Sequence, residues 1–280
     1  ALGELDPSTF LVEPIARGTA PVLVWAAWTI FQEDPDAVIA SLHADHAIHP
    51  AGRFSDLIRD GAATARKTEA LFTVAIPPTR PETGYGYIRP GNHLQGEGSV
   101  RAFSVDRFIE KPDYPTAKGY VEDGYLWNSG IFLWRASVFL EEVRAVAPEL
   151  ASLIPHLEAG RVDSFFQEAP TVAVDVAVLE RSKRVAGLKA DFEWDDVGTW
   201  EALSRTHRPD RQGNVFLGSV ESLEARNNIA LAEDGSVVLF GVEGLVVVRT
   251  GDVVLVANRE RSHDIKTLLE ALPPSLKDPG

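Results

Sequence analysis

Over the first two hundred residues the apolar positions switch between two periods. Residues 22–31 are apolar enough for a buried helix, with Thr19 placed as its N-cap and Pro21 in its first turn. Residues 37–44 (AVIASLHA) form a short apolar run ending at Asp45-His46, which predicts a buried parallel strand with a polar tip. Phe54, Leu57, Ile58, Ala62 and Ala65 recur at helical spacing, and residues 71–76 predict the next strand. Further strands are expected over 100–110 and 131–134, and helices from Pro115, over 136–146 and over 174–182, with 184–194 extended. This alternation is what a doubly wound α/β sheet requires.

The pattern changes after about residue 208. Residues 214–220, 228–232, 236–240, 245–249 and 253–257 read as short strands at near-regular spacing, broken by Gly and Asp. They predict a small all-β unit, either a few coils of a β-helix or a compact meander. A last helix is expected over 262–272, stopped by Pro273-Pro274.

Composition narrows the function classes. Hydrophobic content of 45% and charged content of 24% are those of an ordinary globular protein. A net charge of −14 argues against a nucleic-acid partner or an anionic membrane surface. It leaves room for an anionic nucleotide in a locally basic or metal-neutralised site. No apolar run reaches about 18 residues, and no secretory leader is visible. The absence of cysteine removes disulfides and thiolate metal sites and is compatible with cytoplasm. There is no methionine, and the chain opens abruptly at Ala1-Leu2-Gly3, so the sequence is expected to be a piece of a longer protein.

Several residues carry candidate chemistry. Asp45 sits at the tip of its predicted strand, where α/β proteins bind ligands, and Asp196 lies on the tight turn Trp194-Asp195-Asp196-Val197-Gly198. A turn or cap role is the plain alternative for Asp45. Glu13, before Pro14, is an acceptor-only carboxylate that matches the adjacent N–H donors of guanine; otherwise it is a surface residue at a proline kink. Arg17 is either a solvated residue near a helix start or a nucleotide contact. Gly84 and Gly86 bracket Tyr85 within Thr-Gly-Tyr-Gly-Tyr-Ile, a hairpin turn or a place where ligand hydroxyls meet bare backbone. Glu110-Lys111-Pro112 follows a predicted strand, and Asn128 in Trp-Asn-Ser-Gly can donate and accept at once. Asp175 is well placed to cap the helix predicted over 174–182.

Taken in order, Glu13-Pro14, residues 83–88, 108–113 and 127–132, and the Asp196 turn resemble the sugar-phosphate nucleotidyltransferases along nearly the whole chain. Within that family the chain is most similar to members that act on GTP and mannose 1-phosphate. The resemblance implies a Rossmann-like (GT-A-like) nucleotidyltransferase domain over 1–207 and a small β-rich, β-helical or meandering, unit over 208–280. It implies transfer giving GDP-mannose and pyrophosphate, with Mg2+ held by Asp45 and Asp196. It places Glu13, Arg17, Thr19 and Ala20 on the nucleotide and Gly84, Tyr85, Gly86, Glu110, Asn128 and Asp175 beside the sugar. Lys111 would contact the sugar's 1-phosphate. Gly18 stands where the family commonly has Asn. The family's Gly-rich triphosphate loop has no counterpart here, and it is expected upstream of Glu13. A homodimer and a cytoplasmic setting are also implied. Another sugar 1-phosphate, or a non-catalytic nucleotide-sugar sensor, remain alternatives.

Overall fold

The computed structural model describes residues 9–273 and residue 276. In chain order it contains α1 (Thr19–Glu33), β1 (Val38–Ser41), β2 (Ala47–His49), α2 (Ala51–Arg66), β3 (Leu71–Ile76), β4 (Gly86–Leu94) and β5 (Ala102–Ile109). Then come α3 (Tyr114–Glu122), β6 (Leu126–Arg135), α4 (Ala136–Val146) and three short helices, α5 (Pro148–Ala151), α6 (Ile154–Glu158) and α7 (Val162–Glu168). A π-helical turn (Asp175–Leu179), β7 (Val185–Lys189), β8 (Glu193–Asp195) and α8 (Trp200–Thr206) follow. The remainder is β9 (Val215–Leu223), β10 (Ile229–Phe240), β11 (Leu245–Thr250), β12 (Val253–Asn258), a 3-10 turn (Arg259–Asp264) and α9 (Ile265–Ala271). Ala1-Leu2-Gly3 and Pro274 lie outside the described residues. No helix among the described residues is long and apolar enough to cross a membrane.

The chain divides into two compact units. The first comprises the residues up to Ala44 together with His49–Phe192, and the second Asp45–Ile48 together with the residues from Glu193 onward. The expected boundary at 207/208 falls later than this division. The physical reason is α8: its Trp200 and Leu203 pack against Val215, Ile229, Val246 and Val248, so it belongs with the strands that follow it.

The first unit is built on a mixed six-stranded sheet in the order β1-β6-β3-β7-β5-β4, with β4 also pairing with β6. Every residue of β3 is buried, as a strand that is apolar at every position but Thr73 and covered on both faces requires. Side chains alternate across β6. Trp134 stacks on Phe132 (ring centroids 5.1 Å) and on Phe139 of α4 (4.5 Å), in a cluster with Val24 of α1 and Phe165 of α7. On the other face Gly61 of α2 lies so near Leu188 and Leu133 that a Cβ there would sit 2.6 Å from Leu188 Cδ1. Helices therefore cover both sides. Truncating Trp134 to alanine would cost about 3–5 kcal/mol.

Several expectations change. Residues 38–41 do form a strand, but β1 pairs antiparallel with β6 at the sheet edge and is only half-buried. Apolar content does not encode the direction of a partner. Gly18, at φ 76°, occupies the N-cap of α1; Thr19 is its first helical residue, and its hydroxyl accepts from the Val174 N–H at 2.9 Å. A Cβ on Gly18 would lie 2.7 Å from the Val172 carbonyl oxygen, which accounts for glycine there. Asn128 is inside β6, because that strand begins at Leu126 and not at 131. Residues 175–179 form a π-helical turn whose N-cap position is Val174, so Asp175 is its first residue.

In the second unit β9, β10 and β11 run parallel, with Val215, Ile229 and Val246 in register, and β12 returns antiparallel. Parallel in-register strands joined by short returns are β-helical coils, which resolves the open choice against a simple meander. The stretches expected over 228–232 and 236–240 are one strand, β10, with a register shift between Ala232 and Val237. A buried asparagine ladder stitches the coils together. Asn214 Oδ1 accepts from the Asn228 N–H (3.0 Å) and Nδ2 (3.1 Å), and Asn228 Oδ1 accepts from the Leu245 N–H (2.9 Å). Both amides also donate to carbonyls at the bends, Asn214 to Ala225 and Asn228 to Val242.

Candidate active site

Strand register assembles a polar cluster in the first unit. Gly86 of β4 lies opposite Asn128 of β6, and Asn128 lies opposite Ala75 of β3. Tyr87 is paired with Ile109, so Glu110 leaves β5 directly beside Gly86. A Cβ on Gly86 would be 2.5 Å from Glu110 Oε2 and 3.3 Å from Asn128 Cβ, so only glycine fits without displacing them. Asn128 Nδ2 donates to Asp175 Oδ1 at 2.7 Å. Its Oδ1 accepts from the buried Thr73 hydroxyl at 2.7 Å. Lys111 Nζ lies 3.3 Å from Glu110 Oε1, and the Glu110 N–H donates to Glu180 Oε1.

Lys111 has φ 46°, a left-handed conformation that costs a non-glycine residue about 1–2 kcal/mol. Such strain persists where surrounding structure imposes it, and here it falls at the lysine beside the polar cluster. The ammonium stays largely exposed while Glu110 is mostly buried. Burial, with Asp175 nearby, pushes the Glu110 carboxyl above its usual range against the opposing pull of Lys111. Burial likewise raises Asp175, opposed by the Asn128 amide and the charge of Lys111. Glu110 Oε2 is buried with no hydrogen-bond partner, as is Trp127 Nε1. Buried polar atoms are normally paired, so these two mark positions that a ligand hydroxyl could satisfy.

Around this cluster the Gly84–Gly86 loop is held by its own side chains. Glu82 Oε1 accepts from the Gly84 N–H, and Arg80 pairs with Glu82 while lying 5.0 Å from the Trp127 ring centroid. Tyr85 meets Trp127 edge-on at 5.2 Å. Tyr85 and Gly86 are buried and Gly84 is exposed.

Residues 17–20 lie along residues 166–174. Ala20 N–H donates to Val172 O and Val172 N–H to Arg17 O. Arg17 donates from Nε to Phe166 O (3.0 Å) and from Nη2 to Gln167 O (3.2 Å), so its hydrogen bonds fasten the chain to the end of α7. Glu13 is half-buried, and its Oε2 is buried with no partner.

Asp45 and Asp196 both belong to the second unit. Asp45 precedes β2 and Asp196 follows β8, and these strands form a two-stranded sheet. Trp194 Nε1 donates to His46 Nδ1 at 3.1 Å, which joins the two segments one residue from Asp45 and two from Asp196. A ligand-capable nitrogen of His46 comes within 4.8 Å of a carboxylate oxygen of Asp45. Carboxylates are the hard oxygen donors of which Mg2+ takes one or two, so the chemistry of Asp45 and of Asp196 suits that ion. Asp195, beside them, is committed elsewhere: Arg205 grips it at 2.6 and 2.8 Å. Val197 follows at φ 45°.

Sequence reasoning does not single out Thr73, Arg80 or Glu180. Thr73 left a signal, as the one hydroxyl in an otherwise apolar, wholly buried strand must find a partner. Glu180 left its place at the end of Asp-Val-Ala-Val-Leu-Glu, the stretch that Asp175 opens, and Arg80 left none.

Residues 5–213 match the family model described as nucleotidyl transferase, and residues 218–272 match one described as MannoseP isomerase/GMP-like beta-helix domain. The mannose-1-phosphate guanylyltransferase ManC of Salmonella typhimurium is 39% identical over 274 residues, covering 94% of this chain and 57% of that protein. The xanthan biosynthesis protein XanB of Xanthomonas campestris pv. campestris is 37% identical over 278 residues, 96% of this chain and 58% of that one. The crystal structure of mannose-1-phosphate geranyltransferase from Thermus thermophilus has a TM-score of 0.84 at 31% identity, covering 93% of this chain and 76% of that chain. The chain thus spans less than two thirds of the length of these curated relatives.

Proposed function

We propose, from the premise that this chain belongs to the nucleotidyl transferase family, that the protein joins GTP to mannose 1-phosphate and releases GDP-mannose and pyrophosphate. A phosphate oxygen of the sugar phosphate attacks the α-phosphorus of GTP. The new P–O bond forms as the bond from the α-phosphorus to the oxygen bridging the β-phosphorus breaks, and that electron pair departs with pyrophosphate. The observation that carries this reading is the cluster of Gly86, Glu110, Lys111, Asn128 and Asp175. It offers bare backbone, carboxylates and an amide suited to sugar hydroxyls beside one exposed ammonium suited to a phosphate.

In this reading Glu110, Asn128 and Asp175, with Gly84, Tyr85 and Gly86, orient the sugar, and Lys111 holds the 1-phosphate. Glu13 reads the guanine edge, and Arg17, Thr19 and Ala20 shape the segment that presents it. Asp45 and Asp196 would hold Mg2+, which when bound neutralises the phosphate charge. Positioning supplies most of the remaining rate, because the nucleophile is already an anion. A homodimer and a cytoplasmic setting belong to the same reading. The exposed Leu223, Val238 and Phe240 of the second unit support the former.

The test is pyrophosphate release by the purified protein with GTP, Mg2+ and mannose 1-phosphate, with GDP-mannose identified by mass. Turnover only with a different sugar 1-phosphate would move the assignment to that sugar. Binding of GDP-mannose without any turnover would replace the enzyme with a sensor.

A further inference from the structure

We infer that Arg205 is a positioning residue for the metal site, acting through Asp195 on the turn that presents Asp196. The inference rests on the reading of Asp196 as a metal ligand. Val197 is β-branched and sits at φ 45°, a conformation its side chain disfavours. Something must hold it there. Asp195 Oδ1 accepts from the Val197 N–H at 3.2 Å, closing a side-chain turn around Asp196. That carboxylate is buried, and its charge is met by a two-pronged Arg205 contact, Nε to Oδ2 at 2.6 Å and Nη2 to Oδ1 at 2.8 Å. A fork of this kind fixes orientation as well as charge, which a lysine could not reproduce.

Arg205 is in turn fixed by the β-helical coils. It stands near the end of α8, whose Trp200 and Leu203 pack on Val215, Ile229, Val246 and Val248. Glu201 of the same helix receives Arg259 at 2.8 and 2.6 Å, and Arg259 Nη2 also donates to Ser204 Oγ. A continuous path therefore runs from the core of the coils through α8, Arg205 and Asp195 to the strained turn. The helix and coils that follow β8 hold the turn presenting Asp196 as well as packing their own core.

The experiment titrates the purified protein with Mn2+, a Mg2+ surrogate, and follows the free ion by electron paramagnetic resonance. Asp196→Asn is the control: if it leaves Mn2+ binding unchanged, the metal assignment itself fails. With that control positive, Arg205→Met should weaken Mn2+ binding by tenfold or more and Arg205→Lys by a smaller factor. Adding Val197→Gly to Arg205→Met supplies a residue that takes positive φ without strain. It should recover at least a threefold part of the loss, whatever happens to the melting temperature. Unchanged Mn2+ binding in Arg205→Met, or a loss that Val197→Gly does not recover, overturns the positioning role.

Discussion

Asn128 and Asp175 are joined at 2.7 Å, amide to carboxylate, by a bond that links β6 to the π-helical turn. The carboxylate can only accept, so the amide must present Nδ2 to it and turn its oxygen toward Thr73. One buried hydroxyl thereby fixes the rotation of a group assigned to the sugar.

Thr73→Val keeps the shape of the side chain and removes that donor. It should destabilise the protein by about 1–3 kcal/mol, because Asn128 Oδ1 loses its short partner. The KM for mannose 1-phosphate should rise while that for GTP stays within about twofold, and Thr73→Ser should restore both. Steady-state kinetics with each substrate varied in turn would check this. Equal changes for the two substrates would contradict it.

Glu110 gives a pH-dependent prediction. Its carboxyl is raised in the folded protein, above the ordinary value of 4.5, by burial and by Asp175. Its contribution to stability is therefore complete below that ordinary value and is lost as pH rises through the folded one. Glu110→Gln, which cannot ionise, should raise the melting temperature at pH 8 and lose that advantage by pH 4. Each kcal/mol of relieved burial and repulsion corresponds to roughly 2–4 °C. The same change should lower turnover, as a site residue traded for stability commonly does. Thermal scans across pH would decide it.

Glu13 keeps a buried carboxylate oxygen without a partner, a state that a guanine N–H would relieve. Glu13→Gln should weaken GTP binding tenfold or more, since a charge-assisted contact contributes about 1.5–3 kcal/mol. Mannose 1-phosphate should be affected far less. Calorimetric titration with each ligand would check it, and equal losses would remove the base-reading role.

The asparagine ladder predicts a stability effect away from the site. Asn228→Ala removes an amide that serves Asn214, Leu245 and Val242, leaving buried groups unsatisfied. It should cost about 2 kcal/mol or more. Asn227→Gly, at the exposed neighbour whose φ of 52° glycine adopts freely, should cost less than about half of that. Denaturant unfolding of the pair would show whether the ladder carries the difference.

Legibility in the sequence followed the reach of each signal. The bounds of β3 were readable because both faces of that strand are buried, and a run that is apolar at every position but Thr73 records this directly. The residues of the sugar cluster were readable as short motifs. Their mutual contacts were not, because Gly86, Asn128 and Glu110 meet only through the register of β4, β5 and β6. The left-handed Lys111 carries no glycine or asparagine to announce it. Three-residue β2 is too short to show a period, and missing it hid the sheet it makes with β8. The coils of the second unit were half-visible: Asn214 and Asn228 precede Val215 and Ile229, but the next coil has Gly244 before Leu245.

The small β2–β8 sheet has a consequence for how the chain is synthesised and how it can be recombined. Residues 45–48 emerge from the ribosome early, yet they cluster with a segment that begins only at Glu193. Closing so long a loop costs about 4 kcal/mol of chain entropy in addition to the local terms, and such distant pairings form late. The second unit therefore cannot be transplanted as one contiguous stretch. A chimera that exchanged only the residues after Phe192 would leave Asp45 behind, next to a strand made for a different partner.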